Sequence, residues 1–158
     1  MLKVSRLADY AVSIMCTLAK QSEHCSANEI AVMTKMTKTT VSKVLKLLTR
    51  HGLICSTRGA QGGYSLAHQA EEITLEAIVS AVDGPVALTE CSTVEKNCSV
   101  LACCEHRSNW QTINQLVTSV LSNFTLAEMM KPIKPNISAK FGVYKPLINI
   151  EIEDRHAK

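Results

Sequence analysis

Apolar residues in the first half of the chain recur at the three-and-four spacing of short amphipathic helices. After Ser5, the positions Ala8, Ala11, Val12, Met15, Leu18 and Ala19 fall on one helical face, which predicts a first helix turned toward a core. Ser26-Ala27-Asn28-Glu29 has the form of a capping box, in which Ser26 accepts from a free backbone amide and Glu29 reaches back to the cap. A second helix therefore starts there and ends near Thr34. Beyond the turn Lys35-Met36-Thr37, a third helix buries Val41, Val44, Leu45 and Leu48. It ends at Gly52, a residue suited to the left-handed closing conformation.

The pattern then changes. Leu53 to Ser56 and Tyr64 to Leu66 read as two short strands, joined by a segment whose three glycines permit a tight reversal. Thr74 caps a fourth helix carrying Leu75, Ile78, Val79 and Val82, and Gly84-Pro85 closes it. A cysteine-bearing loop runs from there to Cys104. From Ser108 to Ala127 no residue is charged, yet eleven of the twenty are Ser, Asn, Gln or Thr. Trp110, Ile113, Val117, Val120, Leu121 and Phe124 keep helical spacing within it, which predicts a long helix with an apolar stripe. Thr125-Leu126-Ala127-Glu128 is a second capping box, and Pro132 and Pro135 end the short helix it starts. Leu147 to Ile152 alternates as a strand would, without an assignable partner.

With 158 residues, 46% of them apolar and 20% charged, the chain suits one folded unit with a real core. No run of 18 apolar residues suggests a membrane span, and Lys3, Arg6 and Asp9 interrupt any signal-peptide core, so a cytoplasmic protein is expected. Charge is unevenly placed: residues 1–66 hold nine Lys or Arg against three acidic residues, and residues 67–158 hold eight against eleven. A basic module attached to an acidic one is the distribution expected of a polyanion binder.

Two short helices, a tight turn and a hairpin are the parts of a winged helix-turn-helix. The expected class is therefore mainly α with a two-stranded wing. A recognition helix must bury one face and present small polar and basic side chains on the other to enter a major groove. Lys38, Thr39, Thr40, Ser42, Lys43 and Lys46 meet that demand. Arg58 at the hairpin turn can enter the neighbouring minor groove, and Gly62 and Gly63 would let the wing backbone approach DNA closely. A double-stranded operator is the implied partner. An enzyme would need a Cys-x-x-Cys beside a strand-helix unit, or a nucleophile with a base, and neither is found.

The stretches Leu7-Ala8-Asp9-Tyr10-Ala11-Val12, Thr40-Val41-Ser42-Lys43-Val44-Leu45 and Gly52-Leu53-Ile54, with Arg58-Gly59-Ala60-Gln61-Gly62-Gly63-Tyr64-Ser65-Leu66, resemble the iron-sulfur-sensing winged-helix regulators typified by IscR and NsrR. The resemblance covers roughly residues 1–130. Gly84-Pro85 through Leu88-Thr89-Glu90-Cys91 looks most like the branch that regulates the SUF iron-sulfur assembly operon. It implies a homodimer with the uncharged helix as its interface, reading a pseudo-palindromic operator. It also implies four regions: a DNA-binding domain at 1–84, a cluster loop at 85–107, a dimerisation helix with a short successor at 108–130, and a tail at 131–158.

Seven cysteines in a reducing compartment are read as thiols or ligands rather than a disulfide framework. Cys91, Cys98 and Cys104 share one loop with six and five residues between them, and the resemblance gives these three the role of iron-sulfur ligands. The first gap is one residue longer than in IscR, and Arg107 stands where IscR has a histidine. The fourth ligand is open between His106, Cys103, Glu105 and the partner subunit's Asp9, as is the choice between 2Fe-2S and 4Fe-4S. Zinc, thiol oxidation or nitric oxide acting at the same cysteines are the alternatives. Cys16 and Cys55 are expected to be small buried hydrophobes and Cys25 an exposed bystander. The function expected is a homodimeric transcriptional regulator that senses a cluster and represses iron-sulfur assembly genes.

Overall fold

Ser5 starts the first helix as its side chain accepts the Ala8 N–H at 3.0 Å, and α1 (Arg6–Leu18) extends from it. This is a computed structural model, describing residues 3–59, 62–92 and 104–132. Helix α2 (Ala27–Thr34) opens on the predicted capping box: Glu29 accepts the Ser26 N–H at 2.8 Å and Ser26 Oγ accepts the Glu29 N–H at 3.3 Å. Its end carries no signal in the sequence. Lys35 takes a left-handed conformation, φ 56°, so that its own N–H and that of Met36 close on the carbonyls of Val32 and Ala31. Helix α3 (Lys38–Arg50) begins at once, capped by Thr37. After its last turn Gly52, at φ 70°, lets the N–H groups of Gly52 and Leu53 reach the carbonyls of Thr49 and Leu48. Leu53 and Leu48, both buried, meet across this closure.

The wing is β1 (Ile54–Thr57) paired antiparallel with β2 (Gly63–Leu66), Ile54 opposite Leu66 and Thr57 opposite Gly63. On the far edge of β2, Tyr64 exchanges two backbone hydrogen bonds with Cys25, at 2.8 and 3.0 Å. The segment just before α2 thus adds a one-residue third strand to the wing. Thr74 caps α4 (Leu75–Asp83), which stops at Gly84, φ 87°. A single 3-10 turn, Glu90–Ser92, precedes α5 (Arg107–Ser122), and the second capping box opens α6 (Leu126–Met129).

Helix α1 is the hub, packing on α2, α3, α4 and α6. Ile14, Met15, Ile30, Leu45, Leu48, Ile78 and Leu126 are fully buried there. Each such side chain contributes about 1.5–3 kcal/mol relative to exposure. Helix α6 is drawn back into this core because Leu75 N–H bonds the Phe124 carbonyl and Leu126 N–H the Ile73 carbonyl, both at 2.8 Å.

Three sequence expectations need correction. Cys25 is buried, not exposed, because its backbone pairs with Tyr64 inside the wing. Cys55 is exposed, not buried: next to buried Ile54, it points to the opposite face of the strand. The stripe on α5 divides in two. Val117, Leu121 and Phe124 are half-buried, while Trp110, Ile113 and Val120 are 42–43% exposed and are joined by Leu116 at 49%. No residue of α5 is buried. None of the described helices is long and apolar enough to cross a membrane. The alternating segment at 147–152 lies outside the described residues.

Candidate nucleic-acid interface and cysteine site

The candidate recognition face is on α3. Burial of Val41, Val44, Leu45 and Leu48 fixes its rotation and leaves Lys38, Thr39, Ser42, Lys43 and Lys46 all exposed along the other side. Thr40 differs from these: it is half-buried, its N–H donates to Thr37 Oγ1 at 3.3 Å, and the two hydroxyls lie 2.9 Å apart. It therefore helps to start the helix. Arg50, exposed in the last turn, extends the basic face beyond the predicted residues. The small hydroxyls at Thr39 and Ser42 between flexible ammonium groups form a surface suited to base edges flanked by phosphates.

Arg58 is exposed at the tip of the wing. The two wing glycines answer to the fold itself. A Cβ on Gly62 would overlap the carbonyl oxygen of Thr57 and lie 2.8 Å from the carbonyl carbon of Arg58. On Gly63 it would lie 2.6 Å from the Cys25 carbonyl oxygen and 2.7 Å from its carbonyl carbon. Both contacts are with backbone, so no side-chain rotation relieves them.

Cys91 lies in the 3-10 turn, which packs against α5, and Cys104 stands just before that helix. Cys91 is buried with its sulfur 3.1 Å from Thr89 Oγ1, and Cys104 is half-buried. Cys98 and Cys103 lie outside the described residues. His106 and Glu105 are exposed beside Cys104, whereas Asp9 is exposed on the first turn of α1. Among the described residues no three His, Cys, Asp or Glu side chains group to hold a metal ion. The described end of α5 nevertheless fits an anionic, sulfur-ligated group. The helix begins at His106 without a side-chain cap, and Arg107 Nε is buried without a hydrogen-bond partner.

Sequence reasoning missed the link between this site and the helical body. Asn114, at the middle of α5, accepts the Leu88 N–H at 2.8 Å and donates to the Val86 carbonyl at 3.1 Å. Three residues on from Leu88 is Cys91. Two residues before Pro85, Asp83 accepts from Ser5 Oγ at 2.7 Å, which joins the end of α4 to the cap of α1. One Asn in a helix rich in Ser, Thr, Asn and Gln offers no signal that would single it out.

Burial pushes the Cys25 thiol above its ordinary range, with the carboxylates of Glu29 and Glu23 adding to the effect. The Cys16 thiol is also raised, chiefly by burial, against a smaller lowering by Lys20. Neither is poised as a thiolate.

The family described as Rrf2, iron-dependent transcriptional regulator, matches residues 4–132. Protein rrf2 of Nitratidesulfovibrio vulgaris is 30% identical over 132 residues, 82% of this chain and 88% of that one. The HTH-type transcriptional regulator IscR of Serratia proteamaculans is 30% identical over 123 residues, 77% of this chain and 74% of its own. Among solved structures, CymR, the global cysteine regulator of B. subtilis, superposes with a TM-score of 0.68 at 29% identity, covering 85% of this chain and all of that one. IscR of T. potens does so with a TM-score of 0.59 at 29% identity, over 82% of this chain and 86% of that one.

Proposed function

Because the chain belongs to the Rrf2 family of iron-dependent transcriptional regulators, and so is a DNA-binding regulator and not an enzyme, we propose that its operator affinity is set by an iron-sulfur cluster. The ligands in this reading are Cys91, Cys98 and Cys104, and the fourth comes from His106, Cys103, Glu105 or the partner subunit's Asp9. The protein acts as a cytoplasmic homodimer and represses iron-sulfur assembly genes while the cluster is present. Likeness to IscR in sequence and structure supports the cluster, and the branch resemblance around Gly84-Pro85 supports the target genes.

The observation that carries the reading is the position of α5. Of the three proposed ligands, Cys104 stands just before it and Cys91 lies in the turn that packs against it, and its exposed Trp110, Ile113, Leu116 and Val120 offer a surface for a second copy. Bound there, the cluster would supply a redox-labile crosslink between the cysteine segment and α5. The chain's own residues carry the consequence onward: Asn114 fixes residues 86–88 on α5, and Asp83 with Ser5 fixes the end of α4 on α1. A shift of α5 relative to α1 would change the spacing of two recognition helices in a dimer, and so the DNA free energy.

The test is protein purified without oxygen, with iron and sulfide analysis, a visible spectrum, and binding to duplexes selected from a randomised pool. Visible bands with matching iron and sulfide, and loss of both colour and operator response in Cys98→Ala, are expected. Unchanged colour and affinity in that variant would sink the ligand assignment.

A second reading, thiol oxidation at the same cysteines, is favoured by the likeness to CymR of Staphylococcus aureus in its oxidized form, which superposes with a TM-score of 0.60 at 27% identity. It predicts colourless protein whose operator affinity responds to peroxide.

A further inference from the structure

Among the described residues one buried side-chain nitrogen or oxygen lacks a hydrogen-bond partner, the Nε of Arg107. The Arg107 side chain as a whole is half-buried, but its Nε–H is held away from water and left unpaired, which is a standing cost that folded proteins retain rarely without use. Arg107 is the first residue of α5, and its backbone N–H reaches the carbonyl of Cys104 at 3.4 Å. Side chains on a helix lean toward its start, so the Arg107 stem is directed back to the side of Cys104. The positive end of α5 adds to the same field, since no side chain caps it.

Resting on the cluster reading above, we propose that Arg107 is a charge-supplying hydrogen-bond donor to a sulfur of the iron-sulfur group that Cys104 and Cys91 would bind. A guanidinium offers N–H donors and no lone pair, so Arg107 is not a ligand. The buried Nε–H and its positive charge instead offset the negative charge of thiolate-bound iron. Hydrogen bonds to the sulfurs and local net charge are two levers by which a protein sets the potential of such a group. Arg107 favours the more negative, reduced state, raises the midpoint potential and slows loss of the group.

The experiment compares full-length wild type, Arg107→Gln and Arg107→Lys, each reconstituted with ferrous iron and sulfide without oxygen. It reads iron and sulfide content, midpoint potential, the rate of loss to a chelator, and melting of the metal-free proteins. Arg107→Gln is expected to load, to shift its potential negative and to lose iron about tenfold faster, the scale typical of residues that support metal ligands. Arg107→Lys keeps the charge and is expected to shift less. Metal-free Arg107→Gln is expected to melt no lower than wild type, because the orphan donor is gone. Equal potentials and loss rates in a loaded wild type and Arg107→Gln would overturn the role of Arg107 alone. So would a metal-free Arg107→Gln melting well below wild type, which would make Arg107 a packing residue. A wild type that takes up no iron and sulfide would overturn the cluster reading and this role together.

Discussion

Leu88 donates its N–H to Asn114 Oδ1 at 2.8 Å, a bond between residues 26 apart in the chain. The same amide turns its Nδ2 to the Val86 carbonyl, so one side chain holds two positions of a single segment. This is the contact by which a polar helix with no buried residue holds the stretch of chain leading to Cys91. Asn114→Ala is expected to cost about 1–3 kcal/mol, since the Leu88 N–H and Val86 carbonyl are left partly buried without partners. Urea unfolding checks the cost, and hydrogen exchange at Leu88 should rise in the same variant. Unaltered protection at Leu88 would show that the segment is held by something else.

Gly63→Ala tests the wing. Its Cβ would meet the Cys25 backbone at 2.6 Å, which neither partner can relieve by rotating a side chain. A loss of about 1–3 kcal/mol is expected from overpacking of this kind. The expected signature is a lower melting temperature with faster alkylation of Cys25, as the Cys25–Tyr64 bridge opens. Gly52→Ala is a useful contrast: its Cβ meets nothing within 4 Å, and the cost there is only that of φ 70°.

On the recognition face, Lys43→Ala and Lys46→Ala should act differently from Thr39→Ala and Ser42→Ala. If each lysine meets one phosphate, each removal lowers the slope of log affinity against log salt by about 0.9 and weakens all duplexes alike. The hydroxyl variants should leave that slope unchanged and alter preference among operator variants by about 1–3 kcal/mol at one base pair. Binding titrations at several salt concentrations separate the two classes. A lysine variant with an unchanged slope would remove that residue from the phosphate contacts.

Thiol reactivity should track burial. In native protein Cys55, exposed on β1, is expected to alkylate well before Cys25 and Cys16. Both slower thiols have raised pKa values from burial, Cys25 with help from Glu29 and Glu23, so less thiolate is present near neutral pH. Raising the pH through the raised values should narrow the gap. Mass spectrometry after timed alkylation gives the order. Equal rates for Cys25 and Cys55 in folded protein would contradict the pairing of Cys25 with Tyr64.

What the sequence disclosed was local. Ser26 with Glu29, and Thr125 with Glu128, specify helix starts through contacts three residues apart, and both capping boxes form. The buried face of α3 comes from its own spacing. What it concealed depends on distant partners. Cys25 is buried by Tyr64, far along the chain, and Cys55 is exposed because strand alternation turns it away from the side Ile54 occupies. Within Leu53-Ile54-Cys55 nothing marks which apolar residue faces out. Lys35 carries no mark of its left-handed turn, where Gly or Asn would have announced one. The split of α3 into a buried and an exposed basic side was legible for the same local reasons, while the surroundings of Arg107 and Asn114 depend on neighbours that only the folded chain supplies.

The most recognisable stretch of this chain is the wing turn, and its two glycines are held there by the carbonyls of Thr57 and Cys25. A side chain added at either position strikes the fold first, whatever gene the protein is addressed to. In the proposed reading the address lies on the solvent side of α3, in exposed residues whose replacement buries or uncovers nothing. Two chains with the same wing could therefore differ in their targets through a few substitutions on α3. A wing transplanted between two of them should carry its shape across and leave the address behind.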